Sequence, residues 1–174
     1  NDATERQNQL DALNEKYKSQ RTAAAKEYLQ ATDGYMAHVL DEKDMRNTEN
    51  QLNRLHELLA KLAETSETDT QGRANILTQL NELTGEMDEG TLTEYMTLLT
   101  QVASQVALLK SSGMSDAEIQ ALFPDVDIAN ITQMLDLYAE IGQYLSDFKN
   151  IADIQPLNEM YNGAISEEVL KIAT

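Results

Sequence analysis

The segment TLTEYMTLLTQVASQVALLKSSGMSDAEIQALFP, residues 91–124, carries its own punctuation. Thr91 followed by Glu94 has capping-box spacing, in which the threonine oxygen accepts a first-turn N–H and the glutamate reaches back. A helix is therefore predicted to begin at Leu92. Leu92, Tyr95, Leu99, Val102, Val106 and Leu109 alternate at spacings of three and four. That lays one apolar seam along a helix of about 19 residues, roughly 28 Å long. Gly113, after Ser111 and Ser112, is placed to end it. Ser115 and Glu118 form a second capping box, with Met114 and Ile119 at the hydrophobic-staple positions. The short helix they start carries Ile119, Leu122 and Phe123 and stops before Pro124. Helix, tight turn, helix is the predicted order.

The rest of the chain extends that pattern. It has 174 residues, 41% of them apolar, with only two prolines, seven glycines and no cysteine. Runs rich in Leu, Ala, Glu, Gln and Thr at helical period predict an all-α fold of six or seven helices. The lack of cysteine excludes a disulfide framework, a thiolate metal site and a cysteine nucleophile. Net charge is −17, which argues against binding nucleic acid phosphates or an anionic membrane surface. The charge is uneven. Residues 1–75 hold 10 Lys or Arg against 14 Asp or Glu, a net of −4, and residues 76–174 hold 3 against 16, a net of −13. No stretch approaches the roughly 20 apolar residues of a membrane-spanning helix.

Upstream, residues 2–32 read as one long polar helix with a thin seam of Leu10, Leu13, Tyr17, Ala24, Tyr28 and Ala31. A helix this polar needs a partner. Lys16, Lys18, Arg21 and Lys26 form a loose basic stretch on it, read as a solvated face. Asp33-Gly34 is a turn or a tolerated interruption. Met45, Thr48, Leu52, Leu55, Leu59 and Leu62 repeat at three, four, three, four, three, the seam of a coiled coil nearly three heptads long. Residues 2–32 are expected to pair antiparallel with residues 44–63. The expected organisation is thus a polar helical-hairpin arm, residues 1–64, feeding an acidic helical bundle, residues 70–174. Leu10, Leu13, Tyr17, Met45, Leu52, Leu55, Leu59 and Leu62 are the candidate interaction seam.

Within the bundle, Ala74, Ile76, Leu77, Leu80 and Leu83 mark a short amphipathic helix with Thr68, Asp69 or Thr70 as its cap. Asp127 is placed to cap the most apolar helix, with Ile128, Ile131, Met134, Leu135, Tyr138, Ile141, Leu145 and Phe148. That helix is expected at the centre of the core, with Gly142 at a close crossing. A loop with Pro156, a short turn ending at Gly163 and a last helix begun by Ile165, Ser166 and Leu170 complete the reading. The sequence ends at Lys171-Ile172-Ala173-Thr174, and a fragment of a longer polypeptide, or a processed and truncated product, is expected.

Motifs for chemistry are sparse. A nucleophilic triad needs a histidine base, and the two histidines, His38 and His56, lie in no metal-ligand pattern. Reading Glu67, Asp69, Gln71, Gly72 and Arg73 onto a calcium loop puts Thr78 where a bidentate glutamate is required. The carboxylates of Met87-Asp88-Glu89-Gly90 and Pro124-Asp125-Val126-Asp127 read as helix caps. Asp136 and Glu140 read as a solvated face. No catalytic residue, cofactor, metal or small-molecule substrate is expected, and the function expected is structural, exercised by helix association with protein partners or a second copy. The alternative is a helical binding module recognising a basic protein or cations.

The polar Gln-, Thr- and Asn-bearing helices resemble segments of phage tail tape-measure proteins from Gram-positive hosts. So do the capped helix Ser115-Asp116-Ala117-Glu118-Ile119-Gln120-Ala121-Leu122-Phe123 and the ending Ile165-Ser166-Glu167-Glu168-Val169-Leu170-Lys171-Ile172-Ala173-Thr174. The likeness covers residues 91–174. It implies a long helical protein inside the tail tube whose length sets tail length, with tail-tube and chaperone proteins as partners.

Overall fold

A computed structural model describes residues 1–164. The described residues form seven α-helices: α1 (Asp2–Leu40), α2 (Lys43–Glu64), α3 (Thr70–Glu86), α4 (Glu89–Ser111), α5 (Asp116–Leu122), α6 (Ile128–Asp147) and α7 (Gln155–Ala164). A single 3₁₀ turn, Ala152–Ile154, precedes α7. The fold is an all-α bundle.

The helix boundaries follow local chemistry. α4 starts three residues before the predicted Leu92, because Asp88, not Thr91, is its N-cap. The Asp88 carboxylate accepts the Thr91 N–H at 2.9 Å and the Thr91 hydroxyl at 2.8 Å. Those two bonds, the hydroxyl first, hold its carboxyl below the usual aspartate range. Thr91 is therefore spent supporting the cap. At the other end Gly113 N–H donates to the Lys110 carbonyl at 3.0 Å and Met114 N–H to the Leu109 carbonyl at 3.2 Å, a complete Schellman closure. Gly113 takes φ +99°, which a side chain would resist. Ser115 and Glu118 make their capping box reciprocally, both bonds 3.2 Å. Asp69 and Asp127 cap α3 and α6. Pro156 lies in the first turn of α7, where a missing N–H costs little. The predicted turn there is helix. The helix predicted from Ile165 lies outside the described residues.

α4 is the hub, packing against α1, α2, α5, α6 and α7. Its buried side chains are Leu92, Tyr95, Met96, Leu99, Val102, Val106 and Leu109, the predicted seam plus Met96. α6 packs on α2, α4 and α7. The centre of the core is thus shared between α4 and α6 rather than built on α6 alone. Gly142 lets α7 approach: Tyr161 lies where a Cβ would be, its Cζ 2.6 Å away. The Tyr161 ring stacks on Tyr138 with centroids 4.3 Å apart, and the Tyr138 hydroxyl donates to the Tyr161 carbonyl at 2.8 Å.

The N-terminal half differs from the expectation. α1 runs unbroken through Asp33-Gly34, and α2 does not lie along it. α2 instead buries Met45, Thr48, Leu52, Leu55, Leu58, Leu59 and Leu62, packing chiefly against α6 and α3. The reason is apolar area. The α1 stripe offers few side chains, whereas α6 offers a full face, so α2 buries its leucines where each contributes roughly 1.5–3 kcal/mol. The division expected at residues 64–70 accordingly falls inside one packed core that includes α2. α1 joins that core through the buried Ala25, Leu29, Met36 and Val39 and the half-buried Tyr28, Ala37 and Leu40, chiefly against α4. Residues 1–21 are exposed throughout.

Candidate interaction surface

The eight residues of the expected seam fall into two sets. Met45, Leu52, Leu55, Leu59 and Leu62 are all at most 3% exposed and belong to the core. Leu10, Leu13 and Tyr17 are 54%, 44% and 55% exposed, on a stretch whose residues 1–21 are all exposed. They stand on a helical rod of about 30 Å, residues 2–21, that has left the bundle.

Why this segment stays away is written in its residues. α1 meets the bundle through Ala25, Leu29 and Met36, spaced four and seven apart. By helical geometry that stripe is displaced more than about a quarter turn from the line of Leu10, Leu13 and Tyr17. Ala24 and Ala31, predicted to continue the seam, are accordingly exposed. Of the predicted seam, Tyr28 is half-buried against the core, while Leu10, Leu13 and Tyr17 lie off the line of Ala25, Leu29 and Met36. Charge is segregated along the rod as well. Asp2, Glu5, Asp11 and Glu15 against Arg6 give residues 2–15 a net of −3, while Lys16, Lys18, Arg21 and Lys26 give residues 16–26 a net of +4.

Where the rod enters the body, Asp33 is 7% exposed and accepts the backbone N–H of Asp125 through both oxygens, at 3.0 and 3.3 Å. Burial pushes its carboxyl above the usual aspartate range, and the neighbouring Asp125 side chain adds to the rise. Asp33 thus ties α1 to the loop after α5. Gln120 fixes that loop from the other side. Its amide donates to the Phe123 and Val126 carbonyls, both at 2.7 Å, and its oxygen accepts the Ile128 N–H at 2.9 Å.

Two hollows of the body offer little chemistry. One, about 240 Å³, lies at the α1–α2 corner and is lined by Asp41, Arg46, Glu49, Tyr95, Asp125 and Asn130. Four of its polar groups pair off: Arg46 sits 3.7 Å from Asp41, and Asn130 donates to Glu49 at 3.2 Å. The other, about 460 Å³, is an apolar groove between α4, α5 and α6 lined by Val106, Ala117, Ile119, Ile128 and Ala129. Lys110 and Asp116, also in its lining, form an ion pair at 3.1 Å. His56, which lies in no metal-ligand pattern, and Glu140, read as part of a solvated face, join α2 to α6 at 2.7 Å, with the His56 and Tyr144 rings edge to face. Among the described residues no group of three or more His, Asp or Glu side chains is placed to hold a metal. No described helix is long and apolar enough to cross a membrane.

Sequence reasoning missed Asp33, Gln120 and the His56–Glu140 bridge. Only Asp33 left a signal: it stands four residues after Leu29, in register with the face that α1 buries. No protein-family profile, curated protein or solved structure matches this chain.

Proposed function

We propose that this chain is a non-catalytic assembly protein whose docking element is the free half of α1, residues 2–21. The observation that carries the reading is the exposed line of Leu10, Leu13 and Tyr17 on a stretch, residues 1–21, in which every residue is exposed. An isolated polar helix of this length is marginal in water. A line of large apolar side chains on its outer face gains stability once another helix covers it. The bundle then serves as the base that holds the rod at a fixed angle. The resemblance to tape-measure segments suggests a phage tail as the setting, with helical proteins of the tail as neighbours.

Removing residues 1–21 tests the reading. The truncated chain is expected to keep the thermal midpoint of the full chain within a few degrees, because no core side chain is lost. A fall of ten degrees or more would mean that the rod serves its own bundle, and the docking role would be wrong.

A further inference from the structure

We infer that the partner of the free half of α1 is the same segment of a second copy, laid antiparallel. The inference rests on the reading of residues 2–21 as a docking element and adds the identity and direction of what docks there. Charge decides it. An antiparallel mate sets residues 2–15, net −3, beside residues 16–26 of the second copy, net +4, and the reverse at the other end. A parallel mate sets acid on acid and base on base, each like-charged neighbour unfavourable. Antiparallel helix dipoles also attract.

The apolar register agrees with that direction. With Glu15 at the two-fold axis, Leu13 faces Tyr17 of the second copy and Leu10 faces Gln20 of the second copy, and each contact recurs by symmetry. Arg6 then faces the exposed Ala24 of the second copy, whose small side chain leaves room for the guanidinium. Leu10, Leu13 and Tyr17 lie on a different face from Ala25 and Leu29, so these positions pair while the base of α1 remains in its own bundle.

The chain has no cysteine, so single cysteines report the arrangement in the full-length protein. Under mild oxidation, Leu10→Cys mixed with Gln20→Cys is expected to give a disulfide-linked dimer at least about tenfold faster than either variant alone. In the antiparallel register two residues numbered 10 stand about 15 Å apart along the axis. Leu10→Cys linking to itself as fast as the mixture would overturn the antiparallel arrangement and leave the docking reading intact. A second measurement uses unmodified side chains on the seam. The triple substitution Lys16→Glu, Lys18→Glu and Arg21→Glu makes the rod acidic along its length and should raise the dimer dissociation constant at least about tenfold, with circular dichroism of the bundle unchanged. Association as tight as in the native chain, or a native chain that stays monomeric at every concentration, would overturn the inference. The stability of the chain lacking residues 1–21 judges the docking reading separately.

Discussion

One amide, Gln120, fixes the chain from residue 123 to residue 128 with three hydrogen bonds. Gln120→Ala leaves three backbone groups without their partner, so a loss of about 2–3 kcal/mol is expected in urea unfolding. A loss below half of that would mean water replaces the amide freely. At Gly142 two effects compete. Alanine favours a helix by about 1 kcal/mol, but its Cβ would occupy the place of the stacked Tyr161 ring. Overpacking costs about 1–3 kcal/mol, so Gly142→Ala is expected to destabilise the fold on balance, and a more stable variant would refute the crossing. Asp33 shows the same opposition in charge. Its folded-state carboxyl titrates above the unfolded value, so protonation favours the fold and that contribution is lost as pH rises through the raised value. Asp33→Asn keeps an oxygen for the Asp125 N–H without the buried charge. At pH 7 it should be at least as stable as the native chain, with the difference narrowing toward pH 4, and a native chain that is the more stable of the two at pH 7 would contradict this account.

Among the elements, caps and seams were readable and partners were not. Gly113, the Ser115–Glu118 box and the apolar positions of α2 and α4 are local, because a capping oxygen lies within three residues of the N–H it accepts and a seam recurs every three or four. What a seam packs against depends on the other seams on offer. That is why α2, read as the mate of α1, lies on α6 and α3. The start of α4 slipped for a related reason, since Asp88 and Thr91 are both competent caps and the carboxylate prevailed. Of the candidate interaction residues, the exposed three differ from the buried five in their neighbours, not in their spacing. A paired substitution separates the two sets. Leu59→Ala, fully buried in α2, should cost about 2–5 kcal/mol. Leu13→Ala should change the unfolding free energy of the bundle by less than about 0.5 kcal/mol. Equal costs would mean that the rod is part of the core.

At the scale of the whole molecule, the base limit of stability follows from three buried phenols. Burial pushes Tyr161 up to about 12 and raises Tyr95 and Tyr138 as well, Tyr95 with help from Glu49 and Tyr138 with help from Tyr161. A group with a raised folded value contributes stability that is complete below its unfolded value, about 10 for tyrosine, and is lost above it. The urea midpoint should therefore fall steadily from about pH 10 toward 12, with phenolate absorbance rising in the same transition. Absorbance that rises in full before unfolding would show the rings to be open to solvent. The core belongs to the bundle, and among the described residues the proposed docking role falls on residues 2–21, which are exposed throughout. The most direct measurement is small-angle scattering with light scattering on the full chain across a concentration series. The account predicts an elongated dimer that dissociates on dilution, with dimerisation absent from the chain lacking residues 1–21. A monomer at every concentration, with a radius of gyration near the roughly 16 Å of a globular chain of this length, would contradict it.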